Sequence, residues 1–394
     1  MAIKERLSGN EAVANAMRQA NLDVVAAFPI TPSTEIPQYF SQYVANGKVK
    51  TVFVPVESEH SAMSACIGAE IAGARSSTAT SSCGLALMYE MLGVGASLRA
   101  PVVMACITRA LTGPINIHND HSDAMAASDC GWIQLHAETA QEAYDQYLMS
   151  FLLAEDPRVQ LPVMACQDGF ITSHAVENIE LLEDEVVSQF VGTYEPQDWL
   201  LDPTTSTAFG PYDSPAYLME HKRQQSQAMR NALPVFKEVA AKFEQISGRK
   251  YDVIETYCTE DAERLIVLIG SSAGTAKTVV DELRSRGEKV GLVKITMFRP
   301  FPREEIAQAL SGAQAVAVLD KSDPMSGIGG PVYADVCVAL SQSNRRPLLV
   351  NYIYGLGGRD VRPEHIEQVF EDLKKDLRDG GWKDDYRYLA VRGE

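Results

Sequence analysis

Residues 51–107 read TVFVPVESEHSAMSACIGAEIAGARSSTATSSCGLALMYEMLGVGASLRAPVVMACI. The runs at 51–56 and 101–107 are short, apolar and rich in valine, the composition of buried strands. Between them lie a helix over 61–74, a third strand at 76–80 and a second helix over 85–95. The Ala and Gly content of the first helix predicts close packing against its neighbours. Strands that alternate with helices predict a parallel sheet, because each return to a parallel strand needs a crossover, and that crossover covers a face of the sheet.

The same alternation extends outward. Residues 9–20 form an amphipathic helix with Val13, Ala16 and Met17 at helical spacing, and 23–28 (DVVAAF) a buried strand closed by Pro29 and Pro32. A helix over 140–155 and a strand over 161–167 complete the first α/β unit. The pattern then loosens: 184–214 reads as a long connection and 215–246 as a helix. A second α/β unit follows, with strands at 264–270, 289–295, 315–319 and 347–352. Its helices are expected at 271–286, after a glycine-containing turn, and at 303–310, 333–343 and 363–377. The organisation expected is therefore a first domain over 1–235 with its connection from about 180, a second over 255–377, and a charged surface extension over 378–394.

The chain has 394 residues and a formal net charge of −17. That charge disfavours nucleic acid, whose phosphates need clustered Lys and Arg. No apolar run reaches the ~18 residues of a membrane span, and no signal peptide is legible at the N-terminus, so the cytoplasm is the expected compartment. The cysteines, Cys66, Cys83, Cys106, Cys130, Cys166, Cys258 and Cys337, are scattered and form no C-x-x-C pair. They read as reduced thiols, without the spacing of a zinc or iron–sulfur site.

Several short constellations carry chemistry. Phe28-Pro29-Ile30-Thr31-Pro32-Ser33-Thr34 follows a strand end, where ligands of parallel sheets bind, although Ser or Thr here also suits a helix cap. Glu57-Ser58-Glu59-His60 sends two carboxylates into a segment of small apolar residues; a carboxyl held there has its pKa raised, while an acidic first helical turn is the plainer alternative. Thr108-Arg109 ends a strand with a guanidinium suited to a carboxylate, or to a structural ion pair. His118-Asn119-Asp120-His121-Ser122-Asp123 has the residue types of a metal cluster, but a hydrogen-bonded loop is the commoner outcome, and no metal ligand is assigned to the chain. Gly270-Ser271-Ser272-Ala273-Gly274-Thr275 opens a helix and can hold a phosphate, yet lacks the Walker lysine. Gly355-Leu356-Gly357-Gly358-Arg359-Asp360 reads as a flexible connection.

Taken in order, FPITPST, VPVESEHSAMSACIGAEIAGAR, TATSSCGLALMYEML, RALTGPINIHNDHSD, CQDGFITSH, VGLVKITMFRPFP and NYIYGLGGRD resemble the alpha subunits of the pyruvate:ferredoxin, or 2-oxoacid:acceptor, oxidoreductase family over nearly the whole chain. The resemblance implies a pyrimidine-binding thiamine-diphosphate domain followed by a transketolase-C-terminal-like domain. It implies CoA-dependent oxidative decarboxylation of a 2-oxo acid, with thiamine diphosphate shared with a beta-type subunit. Mg2+ and [4Fe-4S] clusters would lie on partner subunits: the beta-type chain, a gamma-type chain, a ferredoxin-like chain and, in some assemblies, a flavin or NAD subunit. Glu59 matches the family's cofactor glutamate. A carboxyl at the pyrimidine nitrogen favours the tautomer whose own nitrogen removes the thiazolium proton, so no separate protein base is required. Arg109 and Thr31 match residues that hold the substrate, and Ile30, Ser82 and Cys83 fall at cofactor-contacting positions.

Two departures bear on the substrate. The loop Ala110-Leu111-Thr112-Gly113-Pro114 stands where pyruvate-type relatives more often have ALSAP, and Gly93 and Gly95 replace bulkier residues. Smaller residues near a pocket would admit a larger acid, which keeps phenylglyoxylate beside pyruvate. Two other classes are weighed against the enzyme: a scaffold that kept the fold without the site, and an independent nucleotide-binding α/β protein.

Overall fold

Fifteen strands make three sheets in this computed structural model, which describes residues 3–343 and 346–393. They are β1 (Ile3–Ser8), β2 (Val24–Ala27), β3 (Val52–Pro55), β4 (Ser76–Thr80), β5 (Val103–Thr108), β6 (Ile133–Ala137), β7 (Val163–Asp168), β8 (Val176–Leu181), β9 (Ile254–Tyr257), β10 (Arg264–Ile269), β11 (Val290–Ile295), β12 (Met297–Arg299), β13 (Ala315–Asp320), β14 (Leu348–Ile353) and β15 (Tyr386–Tyr388). The first sheet has the order β12-β6-β7-β5-β4-β2-β3 and the second β15-β14-β13-β10-β11-β9. Parallel pairing links β6 to β7, β5, β4, β2 and β3 in the first, and β11 to β10, β13, β14 and β15 in the second.

The first sheet is covered on both faces, as continuous apolar strands require. One face packs the helices Gly9–Gln19, Ala140–Glu155 and Leu218–Ser247 through Met17, Tyr147, Phe151 and Phe236. The other packs the small-residue helix Glu59–Ala72 through Ala62, Met63 and Cys66, against Trp132 and Met164. None of the described helices is long and apolar enough to cross a membrane.

The structure departs from the sequence reading at short or solvent-facing elements. Strand β1 pairs antiparallel with β8, and five of its six residues lie outside the core, so it carries no apolar alternation. The segment expected as one long connection begins with the helix Asp184–Val191. The helix expected over 85–95 is two, Ser82–Leu87 and Tyr89–Ser97, joined at Met88. Within the tail from 378, β15 adds to β14. Strand β12 lies beyond the second unit's first strands yet pairs antiparallel with β6 of the first sheet, which ties the two units together.

Glu70, at the buried end of Glu59–Ala72, supplies a pH-dependent term. Its carboxyl accepts from the Ser76 amide at 2.6 Å and the Ser76 hydroxyl at 3.0 Å. Burial, aided by the nearby Glu155 charge and opposed by the Ser76 and Tyr194 bonds, pushes its pKa up to about 8. The folded chain therefore binds a proton that the unfolded chain has released, and stability falls as pH rises from about 4.5 to about 8. Glu70→Gln is expected to melt like the parent at pH 5 and above it at pH 8–9. Melting curves that stay parallel across that window would remove Glu70 as the cause.

Candidate active site

The carboxyl ends of β2, β4, β5 and β7 all open on one edge of the first sheet, where the crevice of a parallel sheet lies. Register fixes the neighbours: Thr108 pairs with Asp168, so Arg109 leaves β5 beside the end of β7.

Glu59 is the first residue of its helix, behind Ser58, whose hydroxyl accepts from the Ser61 amide at 3.2 Å. The two carboxylates of this motif separate. Glu57 is exposed, and its bond to Ser61 lowers its pKa. Glu59 is buried, and desolvation raises its pKa. Apart from Glu59's own amide, nothing among the described residues bonds its carboxyl. Gly84 leaves it room, since a Cβ there would lie 2.6 Å from both Glu59 Oε1 and Thr80 Oγ1. The hydroxyls of Thr80 and Ser81 are buried without partners. A buried carboxyl with unpaired hydroxyls near it fits the edge of an aminopyrimidine, which needs both a carboxyl and further hydrogen-bonding groups.

Arg109 is buried but has no carboxylate partner among the described residues. Its Nε donates to the Asn116 carbonyl at 3.0 Å and its Nη1 to the Thr31 carbonyl at 2.8 Å. Two backbone bonds thus aim the guanidinium and leave the rest of its donors for a ligand carboxylate. Thr31 is exposed, and the Thr31–Pro32 peptide is cis. The helix after this turn does start at Glu35, but no side-chain hydroxyl caps it; Ser33 Oγ instead donates to the Ile30 carbonyl at 2.8 Å. The Ile30 carbonyl is therefore committed to the turn.

Ser82 is likewise committed. It sits at φ +44°, its hydroxyl donates to the Ala110 carbonyl at 2.6 Å, and its amide donates to Asp123 Oδ2 at 2.8 Å. Cys83 is half-buried against the Thr112 hydroxyl, which pulls its thiol below the ordinary value, with the Arg109 charge contributing less.

The 118–123 run does not converge on a cation. His121 Nε2 meets Asp168 Oδ1 at 2.8 Å, while Asp123 turns to backbone amides. Among the described residues the one acidic group close enough to share a metal is Glu138, Glu142 and Glu255, and it surrounds the ammonium groups of Lys277 and Lys294. The turn at Gly270 is also taken: the Ser271 amide and hydroxyl donate to Asp168 Oδ2 at 3.1 and 2.5 Å, so a protein carboxylate stands where a phosphate would. The 355–358 turn docks on the site loop, with the Gly357 carbonyl accepting from Asn116 Nδ2 at 3.0 Å and the Gly358 amide donating to the Asn119 carbonyl at 2.6 Å. Asp123, Thr80, Ser81, Gly84 and Asn116 are site residues that sequence reasoning did not single out individually. The only signal for them was their place inside runs already marked for other reasons.

The family model for the thiamine-diphosphate-binding domain of pyruvate flavodoxin/ferredoxin oxidoreductases matches residues 15–241, and that for pyruvate:ferredoxin oxidoreductase core domain II matches residues 262–366. The chain belongs to this family. It is an alpha-type subunit of the 2-oxo-acid oxidoreductases, with a thiamine-diphosphate-binding domain and a core domain II. It is 53% identical to pyruvate synthase subunit PorA of Thermotoga maritima, covering 98% of this chain and 97% of that one. Identity to the Pyrococcus furiosus subunit of the same name is 45%, covering 100% and 99%. The ketoisovalerate oxidoreductase subunit VorA of Pyrococcus abyssi is 40% identical, covering 96% and 95%.

Two solved structures share the fold. The 2-oxoglutarate:ferredoxin oxidoreductase of Magnetococcus marinus, solved with 2-oxoglutarate, coenzyme A and succinyl-CoA, superposes with a TM-score of 0.75 at 21% identity. That match takes in 94% of this chain but only 65% of the longer one. A split-gene transketolase gives 0.50 at 12%, covering 94% and 96%.

Proposed function

We propose that this family member works on pyruvate, converting pyruvate and CoA to acetyl-CoA, CO2, a proton and two electrons delivered to an acceptor. The observation that carries the reading is two buried charged groups on one sheet edge with no opposite charge paired to either among the described residues: Glu59, bonded only by its own amide, and Arg109, bonded only to backbone carbonyls. Neither arrangement serves stability, since unpaired buried charges are unfavourable. Thiamine diphosphate, when bound, supplies the carbon nucleophile and the electron sink. Glu59 would hold a proton at the pyrimidine nitrogen, and its raised pKa keeps that proton available. Arg109 would bind the 2-oxo acid's carboxylate, oriented by the Thr31 and Asn116 carbonyls, with the Thr31 hydroxyl beside it. Cys83 and Ile30 would border the ring, and Ser82 would hold the segment that carries Cys83. A beta-type chain would carry the diphosphate, Mg2+ and a proximal [4Fe-4S] cluster, and gamma-type and ferredoxin-like chains would complete the assembly. The domain division at about 235 and 255, with the tail from 378, and a cytoplasmic location belong to the same reading.

Pyruvate is favoured over a bulky aromatic acid. Two pyruvate synthase subunits are 53% and 45% identical to this chain, against 40% for the ketoisovalerate relative. Gly95 also does not support an enlarged pocket: a Cβ there would meet Ile67 at 3.1 Å and Trp132 at 4.0 Å, inside the core. The test is reduction of a one-electron acceptor dye by the anaerobically purified complex with CoA, offering pyruvate, phenylglyoxylate and 2-oxoisovalerate in parallel. Turnover of pyruvate well above the others is expected; turnover of phenylglyoxylate alone would overturn the substrate reading. In that complex Arg109→Ala is expected to raise the pyruvate KM roughly 10- to 100-fold, the worth of a charge-assisted bidentate contact, with assembly retained. Loss of assembly in step with activity would make Arg109 structural.

A further inference from the structure

Asp123 is 2% exposed, and no cationic side chain pairs with it among the described residues. Its carboxylate accepts three backbone amides. Oδ2 receives Ser82 N at 2.8 Å and Arg109 N at 3.0 Å, and Oδ1 receives its neighbour Ala124 N at 2.7 Å. Burial raises its pKa to about 7, against the pull of those three bonds. A fold seeking only to satisfy two loop amides has cheaper acceptors than a desolvated carboxylate, such as a carbonyl or a hydroxyl.

The choice gains meaning from which amides share the oxygen. Ser82 opens the helix Ser82–Leu87, which carries Cys83 and brings Gly84 against the Glu59 carboxyl. Arg109 carries the guanidinium, which is aimed by two carbonyls and has no carboxylate partner among the described residues. The two residues lie on separate strand-end loops, after β4 and after β5, and one oxygen atom fixes the distance between their amides. Around that oxygen the loops are further strutted by Ser82 Oγ to the Ala110 carbonyl at 2.6 Å and by Ser122 Oγ, which accepts from the Leu111 amide at 2.9 Å. Ser122 in turn donates through its amide and hydroxyl to Asp120 Oδ1 at 3.0 and 2.6 Å.

We infer that Asp123 is a positioning residue for the reaction: its shared oxygen sets the cofactor-side loop at Ser82 and the substrate-side loop at Arg109 in register with each other. This rests on the functional reading above. It adds a residue that touches neither ligand and acts through two backbone amides. Misplacement of reacting groups by about an ångström lowers rates by roughly two orders of magnitude, so the carboxylate's geometry matters more than its charge.

The experiment uses the whole complex, with activity expressed per assembled complex and kcat and KM for pyruvate resolved separately. Asp123→Ala removes the acceptor and is expected to lower kcat/KM roughly 10- to 100-fold, through both a lower kcat and a higher KM. Asp123→Asn can still present one oxygen to the Ser82 and Arg109 amides, while its NH2 turns toward the Ala124 amide, so it is expected to stay nearer the parent than the alanine variant does. Asp123→Glu keeps the charge but displaces the oxygen by a methylene, and is expected to fall between them; it decides the matter if the alanine variant does not assemble. A glutamate variant with parental kcat and KM overturns the inference, as does an asparagine variant as impaired as the alanine one. Failure of the functional reading looks different: the parent complex would not oxidise pyruvate, or Glu59→Gln would leave turnover intact, whatever the Asp123 variants do.

Discussion

Glu59→Gln is expected to abolish most pyruvate-dependent electron transfer while leaving the subunit folded and assembled. The substitution keeps the volume and changes one group. The carboxyl is buried, has no bond from another residue and is desolvated enough that its pKa is raised. An amide there can still donate a hydrogen bond, but it cannot give up and regain a proton. Proton management of this kind contributes about 10²- to 10⁴-fold in rate, which is the expected loss in kcat. Stability should not fall, because removing an unpaired buried acid removes a desolvation penalty. A melting temperature equal to or above the parent's with kcat reduced at least a hundredfold is the predicted pair of results. Parental turnover would return the chain to the scaffold class, whose hallmark is a retained fold around an idle site.

Much of this was legible in the sequence for a simple reason. Strands β2, β5 and β7 of the first sheet are largely buried on both faces, so they appear as apolar runs that end at the crevice. Arg109 and Thr31 could be marked that way as candidates, and Glu59 as one of two candidate carboxylates. The structure separates that pair: Glu57 faces water and Glu59 faces Gly84. Of the strands that escaped, β1, β8, β9, β12 and β15 are short or half exposed, while β6 is buried throughout but Gln134 and His136 interrupt its apolar run. Met88 gives no composition signal for the break between two helices. The roles of Asp123 and Asp168 were hidden for a different reason. Both lie in runs that sequence alone reads as polar loop, and their partners are backbone amides, or side chains 47, 103 and 153 residues away along the chain. Local spacing cannot encode a contact between Asp168 and Lys321.

That contact carries the second large prediction. Asp168 ends β7, Lys321 follows β13, and both side chains are 2% exposed. Lys321 Nζ lies 2.7 Å from Asp168 Oδ2 and also donates to Asn119 Oδ1 and Ser271 Oγ, each at 3.3 Å. Burial works against the Asp168 charge, but Lys321 and His121 outweigh it and hold the carboxyl well below its ordinary range. The pair therefore joins the end of β7 to the second sheet, and draws in the loop that follows Arg109 through His121 and Asn119, at a point both water and salt reach poorly. Lys321→Met removes the ammonium and leaves the buried carboxylate with only His121 and the Ser271 amide and hydroxyl; breaking a buried pair on one side typically costs about 3–5 kcal/mol. Denaturant unfolding should show that loss. The double variant Lys321→Met with Asp168→Asn should recover a substantial part of it, because no uncompensated charge remains. With Asp168 depressed in the folded state, the parent's share of this stability is present above about pH 4 and is lost only as pH falls through the folded value. The single variant's deficit should accordingly be largest near neutrality and shrink in acid. A deficit independent of pH, or a double variant as unstable as the single, would show that Lys321 acts through its packed methylene stem and not through its charge.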